Sequence, residues 1–194
     1  MSDTTALART QTALVLVVVG TDHHPFDRLM RWVDACAAEP IGAGVRWTVQ
    51  RGTSTPPGRV DSREYLSHGE LEMAMSDASA VVCHGGPGTI TDARSAGHVP
   101  IVVPRTRALG EHVDDHQQRF ARRLADAGQI VLATDEDSFR RRLAEALATR
   151  GIPHERRSAD HSCERFIALA DRLLERPASG LLEVIGNSWG GDRA

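Results

Sequence analysis

The chain has 194 residues, 41% hydrophobic and 25% charged, a composition typical of a soluble globular protein with room for one α/β domain and a tail. The formal net charge is -3 and aromatic residues make up only 4%, which argues against a nucleic-acid surface of basic patches and stacking platforms. Three widely separated cysteines show no metal-binding spacing and indicate reduced thiols in a cytoplasmic protein.

The first third of the chain alternates apolar runs with polar turns. Residues 1–12 predict a disordered leader. The β-branched run at residues 14–19 predicts a strand buried on both faces, since it is shorter than the ~20 residues that span a bilayer. Apolar residues then recur at helical spacing from Phe26 to Val33. A second strand is predicted at residues 45–49, followed by a Gly- and Pro-rich loop at residues 51–59.

The same alternation continues to residue 150. Helices are predicted at residues 71–75, 87–96 and 139–147, and strands at 80–83, 100–103 and 130–133. A further helix is predicted after the polar loop at residues 105–112; it carries Phe120, Leu124 and Ala127 on one face and stops near Gly128. The pattern predicts an α/β fold, a Rossmann-like doubly wound parallel sheet forming one domain at residues 13–150. Residues 151–194 predict a linker, an amphipathic helix and a loose tail. In such folds ligands bind beyond the carboxyl ends of the strands.

The first polar segment, VGTDHHPFD at residues 19–27, joins the first strand to the first helix. Gly20 allows the backbone to approach a ligand closely, and Thr21 adds a hydroxyl donor. Asp22, His23 and His24 place titratable groups at the same position. An ordinary βα turn with polar surface residues is the alternative interpretation.

The second segment, CHGGPGTITD at residues 83–92, places a glycine cluster between a strand and a helix. Backbone amides and the helix dipole at such a turn suit a diphosphate. Thr89 could donate to a phosphate oxygen, Asp92 could accept from ribose hydroxyls, and His84 fits a structural or a ligand-binding role. The segment is neither a GxGxxG fingerprint nor a Walker loop. Its glycines are Gly85, Gly86 and Gly88.

The third segment, VPRTRALGEHVDDHQQ at residues 103–118, follows a strand and is dense in polar groups. Amides, carboxylates and imidazoles of this kind can bind sugar hydroxyls and phosphates. A solvated loop with a capped helix start is the alternative, and zinc is a rival ligand for the two histidines, which are four residues apart. The candidates are Arg105, Glu111, His112, Asp115, His116 and Gln117.

Two charged runs have ordinary explanations. The acidic run at residues 135–137 resembles a metal-binding DxD motif but follows Thr134 at a helix start, where acidic residues complement the dipole. The arginine run at residues 140–142 could touch a membrane surface or nucleic acid, but a solvated helix face is the simpler interpretation.

Four segments carry a family resemblance: VGTDHHPFDRL, VQRGT, CHGGPGTITDARSAGHVPIVVPR and GEHVDDHQQ. In this order, at consecutive strand ends, they resemble the C-terminal domain of family 28 glycosyltransferases, the MurG C-terminal type. The likeness covers roughly residues 13–133. It is greatest to single-domain members, namely the PssE-like exopolysaccharide subunit and the catalytic subunit of the dolichol-pathway UDP-GlcNAc transferase. Pro87 stands where relatives often have a small residue, which a helix start tolerates.

The resemblance implies one half of a GT-B glycosyltransferase that uses a UDP-sugar donor. Residues 84–89 would hold the diphosphate, Asp92 the ribose, Gln117 and its neighbours the sugar, and the loop with Gln50 and Gly52 the base. The family works without a metal or cofactor. A membrane-associated partner subunit would bind a lipid-linked acceptor and recruit this cytoplasmic chain to the inner face of the membrane. The helix at residues 160–175 would dock on that partner.

The implied reaction is an inverting hexosyl transfer. Amide donors of the glycine turn would stabilise the departing UDP, with help from Arg105. Asp22, His23 or His24 would act as general base, unless the partner supplies it. The alternatives are a non-catalytic UDP-sugar-binding subunit and a protein related to UDP-sugar epimerases, which carry both halves in one chain. A nicotinamide-dependent oxidoreductase would need a GxGxxG after the first strand, which is missing.

Overall fold

The computed structural model describes residues 12–113, 116–149 and 168. Six parallel strands form one sheet in the order β3-β2-β1-β4-β5-β6. The strands are β1 Leu14–Val18, β2 Arg46–Gln50, β3 Ser62–Arg63, β4 Ala80–Cys83, β5 Ile101–Val102 and β6 Val131–Leu132. The helices are α1 Asp27–Ala38, α2 His68–Asp77, α3 Pro87–Ser95, α4 His116–Asp126 and α5 Glu136–Ala148.

The centre of the sheet is the pair β1 and β4, and its sequence explains the fold. Every residue of both strands is buried, as their unbroken β-branched and small apolar runs require. Val15 is in register with Trp47 of β2 on one side and with Ala80 of β4 on the other. The strand order reverses between β1 and β4, and folds of this type have their ligand crevice at such a position, at the carboxyl ends of the strands.

Helices cover both faces of the sheet. Phe26, Leu29 and Phe139 pack with the β1 residues that point to one face, such as Val15. On the opposite face, Leu71 and Met75 of α2 pack with Leu16 and Val18. A further buried cluster joins α4 to the β4–β5 side of the sheet through Phe120 and Leu124. The two-sided burial confirms the predicted doubly wound α/β architecture.

Local capping explains where helix bounds differ from the apolar pattern. α2 begins three residues before its first buried residue because Ser67 and Glu70 form a capping box. Asp135 and Ser138 do the same for α5, so the acidic run caps a helix as the simpler interpretation predicted. The arginine run also has helix-face partners, since Arg140 pairs with Glu39 at 2.9 Å and with Glu136 at 3.2 Å.

The short edge strand β3 was missed from sequence, and β2 lies one residue later than predicted. A strand of two residues is too short to show an alternating apolar pattern in the sequence. Its position is set by its pairing with Val49 and Gln50 of the neighbouring strand β2. Almost all of the predicted leader, the linker and the predicted docking helix lie outside the described residues. Within the described part of the chain, no helix is both long and apolar enough to cross a bilayer.

Candidate functional site

The three polar segments predicted from sequence meet at the carboxyl ends of the central strands. A Cβ atom placed on Gly52, after β2, would lie 3.4 Å from the carbonyl oxygen of Gly20, after β1. A Cβ atom on Gly85, after β4, would lie 2.9 Å from Cβ of Gln117 at the start of α4. The parallel topology therefore gathers the segments around one crevice.

The imidazole of His84 fills the floor of this crevice. A Cβ atom on Gly20 would come within 2.6 Å of Cε1 of His84, and one on Gly86 would overlap the ring as well. Gly20 has a positive φ of 78°, but Gly86 has φ -75° and ψ 133°, which any residue adopts. Gly86 is therefore required for the space that the ring occupies.

Burial sets the protonation state of His84. Desolvation, followed by the nearby charge of Arg105, lowers the pKa of His84 to about 4, so the ring is neutral at physiological pH. The backbone N–H of His84 donates to Val18 at 3.3 Å, which fixes the residue to the end of β1. Within the described residues, Nδ1 of His84 is buried and has no hydrogen-bond partner.

The first turn of α3 presents backbone amides to the crevice. The helix begins with Pro87 after Gly86, and no side chain caps it, whereas α2 and α5 have capping boxes. The first N–H groups of an α-helix have no intrahelical acceptor and form the positive end of the helix dipole. The space around the α-carbon of Gly88 is open, and Thr89 is partly exposed. The turn can thus accept an anion.

Asp92 lies one turn into α3 and is partly buried. Burial raises the pKa of Asp92, and the charge of His68 opposes that shift. A partly desolvated carboxylate is stabilised by hydrogen bonds from hydroxyl groups, such as those of a ribose.

An aspartate surrounded by histidines lies in the loop after β1. Oδ1 of Asp22 is 2.6 Å from Nδ1 of His24 and 3.6 Å from Nδ1 of His23, and Oδ2 is 3.6 Å from Nε2 of His112. Burial alone would raise the pKa of Asp22, but hydrogen bonds from the backbone and ring of His24, with the charge of Arg105, lower it overall. The carboxylate is therefore ionised and faces three imidazoles. Thr21 beside it is exposed.

Arg105 lies behind the crevice, fully buried. Its guanidinium donates to the carbonyl oxygens of Val19 at 3.0 Å, His24 at 2.6 Å and Glu111 at 2.9 Å. Its backbone N–H contacts Oε1 of Gln117 at 3.4 Å. Burial lowers the pKa of Arg105, opposed by the charges of Asp22 and Glu111. The side chain binds together the loops after β1 and β5.

Glu111 is also occupied by protein partners. Arg28 of α1 binds its carboxylate through two hydrogen bonds of 2.9 and 2.8 Å, and Thr106 donates its backbone N–H at 2.9 Å. Both side chains of the pair are largely buried, 12% exposed for Arg28 and 5% for Glu111. Sequence reasoning missed Arg28, because nothing in its local spacing indicates a partner 83 residues away.

The loop after β2 is held from within. Gln50 is buried, and its Oε1 accepts the backbone N–H of Leu66 at 3.1 Å. Gly52 has a positive φ of 55° and donates its N–H to Glu64 at 3.0 Å. The loop therefore has a defined position at the crevice edge.

For two of the predicted site residues the structure describes no side-chain position. Asp115 and the side chain of His116 lie outside the described residues, so the zinc alternative at His112 and His116 has no described geometry. Elsewhere in the described part, the only group of three metal-ligating side chains is Asp22, His23 and His24.

The sequence of the chain is similar to that of a known protein family and of several known proteins. The model of the glycosyltransferase family 28 C-terminal domain matches residues 14–172. The UDP-N-acetylglucosamine–N-acetylmuramyl-(pentapeptide) pyrophosphoryl-undecaprenol N-acetylglucosamine transferase of Xanthomonas campestris pv. campestris (strain 8004) is 34% identical over 122 residues, 63% of this chain and 27% of the relative. The protein of the same name from Paracidovorax citrulli (strain AAC00-1) is 33% identical over 110 residues, 49% of this chain and 30% of the relative. The chain spans less than a third of the length of these relatives.

Solved structures share the fold. The calicheamicin glycosyltransferase CalG4 matches with a TM-score of 0.55 at 15% identity, over 87% of this chain and 43% of that one. The spinosyn forosaminyltransferase SpnP matches with a TM-score of 0.50 at 21% identity, over 91% of this chain and 44% of that one. These matches confirm the predicted architecture, one Rossmann-like half of a GT-B glycosyltransferase.

Proposed function

The chain belongs to the glycosyltransferase family 28 C-terminal domain family, and from this premise we propose that it binds a UDP-sugar and transfers the hexosyl group to a lipid-linked acceptor. The observation that carries the proposal is the uncapped first turn of α3, which begins at Pro87 beside the buried ring of His84. Backbone amides fixed at that turn would bind the diphosphate and stabilise the negative charge that develops as UDP departs.

The remaining donor contacts follow from the positions around that turn. Asp92, one turn further along α3, would accept the ribose hydroxyls. The loop of Gln50 and Gly52 would lie beside the base. Gln117, which packs against Gly85, would face the donor sugar.

Arg105 and Glu111 would act on the donor indirectly. The guanidinium of Arg105 contacts carbonyl oxygens, and the carboxylate of Glu111 contacts a backbone N–H and Arg28. Their proposed role is therefore to hold the loops that line the crevice. A guanidinium buried behind the diphosphate turn still contributes positive potential there.

The proposed general base is the pair formed by Asp22 and His24. Their 2.6 Å contact orients the imidazole, and the ionised carboxylate would stabilise the imidazolium formed when the ring takes a proton. His23 is the alternative base, since its side chain is 85% exposed at the mouth of the crevice. Attack of the acceptor hydroxyl from the face opposite UDP would invert the anomeric configuration, and the mechanism calls for no metal.

The family resemblance suggests that a membrane-associated partner binds the acceptor and recruits the chain to the inner face of the membrane. Reconstitution with a candidate partner and radiolabelled UDP-sugars tests transfer. Donor binding without transfer in that system would favour a non-catalytic binding subunit, and acceptor-free interconversion of UDP-sugars would favour an epimerase-like activity.

Calorimetry on the chain alone tests the binding step. We expect heat of binding with uridine diphosphate, weaker binding with uridine monophosphate, and none with NAD. The difference between di- and monophosphate reports the amide turn directly. Equal affinity for the two uridine nucleotides, or no heat with either, would overturn the proposal.

A further inference from the structure

The loop after β1 contains a cluster of metal-ligating groups that the proposed transfer reaction does not require. The ligand atoms of Asp22, His23 and His24 all lie within 4.8 Å of one another. Oδ1 of Asp22 is 2.6 Å from Nδ1 of His24 and 3.6 Å from Nδ1 of His23. Two imidazoles and one carboxylate around a common point form a ligand set typical of zinc and other borderline divalent metals.

The backbone that carries these ligands is held at several points. Thr53 donates its hydroxyl to the carbonyl oxygen of His23 at 2.9 Å, and Arg105 donates to that of His24 at 2.6 Å. The backbone N–H of His24 donates to Oδ1 of Asp22 at 2.8 Å, which closes a local turn. The ligands therefore start close to one another, and little ordering entropy opposes metal binding.

The exposure of the three side chains suits metal entry. His24 and Asp22 are 22% and 27% exposed, while His23 is 85% exposed and can move onto a metal from the solvent side. Ligand atoms on a tetrahedral zinc lie about 3.3 Å apart, given bond lengths near 2.0–2.1 Å. Small side-chain rotations bring the observed separations to that value, and a metal would replace the proton shared by Asp22 and His24. His112, with Nε2 at 3.6 Å from the other oxygen, helps to hold the carboxylate.

We propose that Asp22, His23 and His24 form a binding site for a divalent transition metal of the zinc type, open to solvent on the side of His23. This departs from the sequence-based expectation of no metal, and it does not depend on donor binding. A metal on Nδ1 of His24 would replace the hydrogen bond between that atom and Asp22, which the proposed general base requires. Metal binding and the general-base role therefore exclude each other.

The test uses the full untagged chain with Co²⁺ as a spectroscopic probe and Zn²⁺ in calorimetry. We expect one equivalent to bind, with visible cobalt bands of nitrogen and oxygen ligation and without the charge-transfer band of a thiolate. His23→Ala should weaken binding by at least about tenfold. Because His23 is exposed, this variant should unfold at the wild-type temperature in the absence of metal. Asp22→Asn should weaken binding similarly.

His68→Ala is the matched control, since His68 is an exposed histidine on α2 that pairs with Glu72 at 3.3 Å. It should bind cobalt and zinc as the wild type does. A thiolate band, no cobalt spectrum with no zinc heat, or equal affinity of His23→Ala and wild type would each overturn the proposal. Binding of uridine diphosphate is measured by calorimetry in a separate experiment on metal-free protein. Absence of metal binding can therefore be distinguished from absence of donor binding.

Discussion

The imidazole of His84 occupies the space above the α-carbon of Gly86, so that a Cβ atom there would lie 2.8 Å from Cε1. The ring is also confined by Gly20, where a Cβ atom would lie 2.6 Å from Cε1. Two glycines from different segments thus enclose one histidine at the start of α3. This arrangement fixes the diphosphate turn that the proposed function depends on.

Gly86→Ala should destabilise the protein and weaken uridine diphosphate binding together. The added methyl group overlaps a ring that cannot move away, and overpacking of this kind costs about 1–3 kcal/mol. Denaturant unfolding and calorimetry measure the two effects.

Combining Gly86→Ala with His84→Ala should recover part of the stability, because the second substitution removes the atoms that clash. Gly69→Ala, in α2 and away from this turn, is the control, since a Cβ atom there meets nothing within 4 Å and alanine favours a helix. Purely additive effects in the double variant would contradict the steric explanation.

The neutral state of His84 predicts a specific loss of stability in acid. The unfolded chain binds this proton near pH 6.5 and the folded chain near pH 4, so the unfolded state binds more protons between those values. Stability therefore falls as the pH is lowered through this window, by on the order of 3 kcal/mol for this group.

The measurement is the free energy of unfolding between pH 4 and 7 for the wild type and His84→Gln. The variant should show a shallower dependence across the window. In the wild type, NMR should show the ring of His84 without titration above about pH 5. Identical slopes in the two proteins would contradict a buried neutral imidazole.

Arg105→Met should be strongly destabilising, by roughly 3–5 kcal/mol, because it leaves three carbonyl oxygens without their donor and removes the buried cation near Asp22. Thermal or denaturant unfolding checks this. Arg141→Met, on the exposed face of α5, is the control and should change stability by no more than about 0.5 kcal/mol. A mild effect at Arg105, similar to that of the control, would show that its buried bonds do not hold the loops.

Asp92→Asn should weaken uridine diphosphate binding roughly tenfold. The reason is that the amide replaces a carboxylate that would accept hydrogen bonds from two ribose hydroxyls. The same variant should bind 2′,3′-dideoxyuridine diphosphate as weakly as the wild type does. Calorimetry with the two nucleotides makes the comparison. A variant that loses affinity for both equally would place Asp92 away from the ribose.

The sequence by itself determined the order of the helices α1–α5 and of the described strands other than the edge strand β3, and it placed the candidate site at the carboxyl ends of the strands. Buried strands such as Ala80–Cys83 are readable because a strand covered on both faces must be apolar throughout. The glycines after that strand are readable because close backbone approach and a free helix start need residues without side chains. Both signals are local, so the positions of the glycine turn and of α3 were predicted to within a residue.

Only the tertiary structure decided which way the polar side chains face. Arg105 and Glu111 were predicted as donor contacts, yet the fold directs the first toward three carbonyl oxygens and the second toward Arg28. The enclosure of His84 by Gly20 and Gly86, and the gathering of histidines around Asp22, likewise join residues distant in the chain. Such contacts depend on how strands pair and loops cross, whereas spacing along the chain specifies only the period of each element.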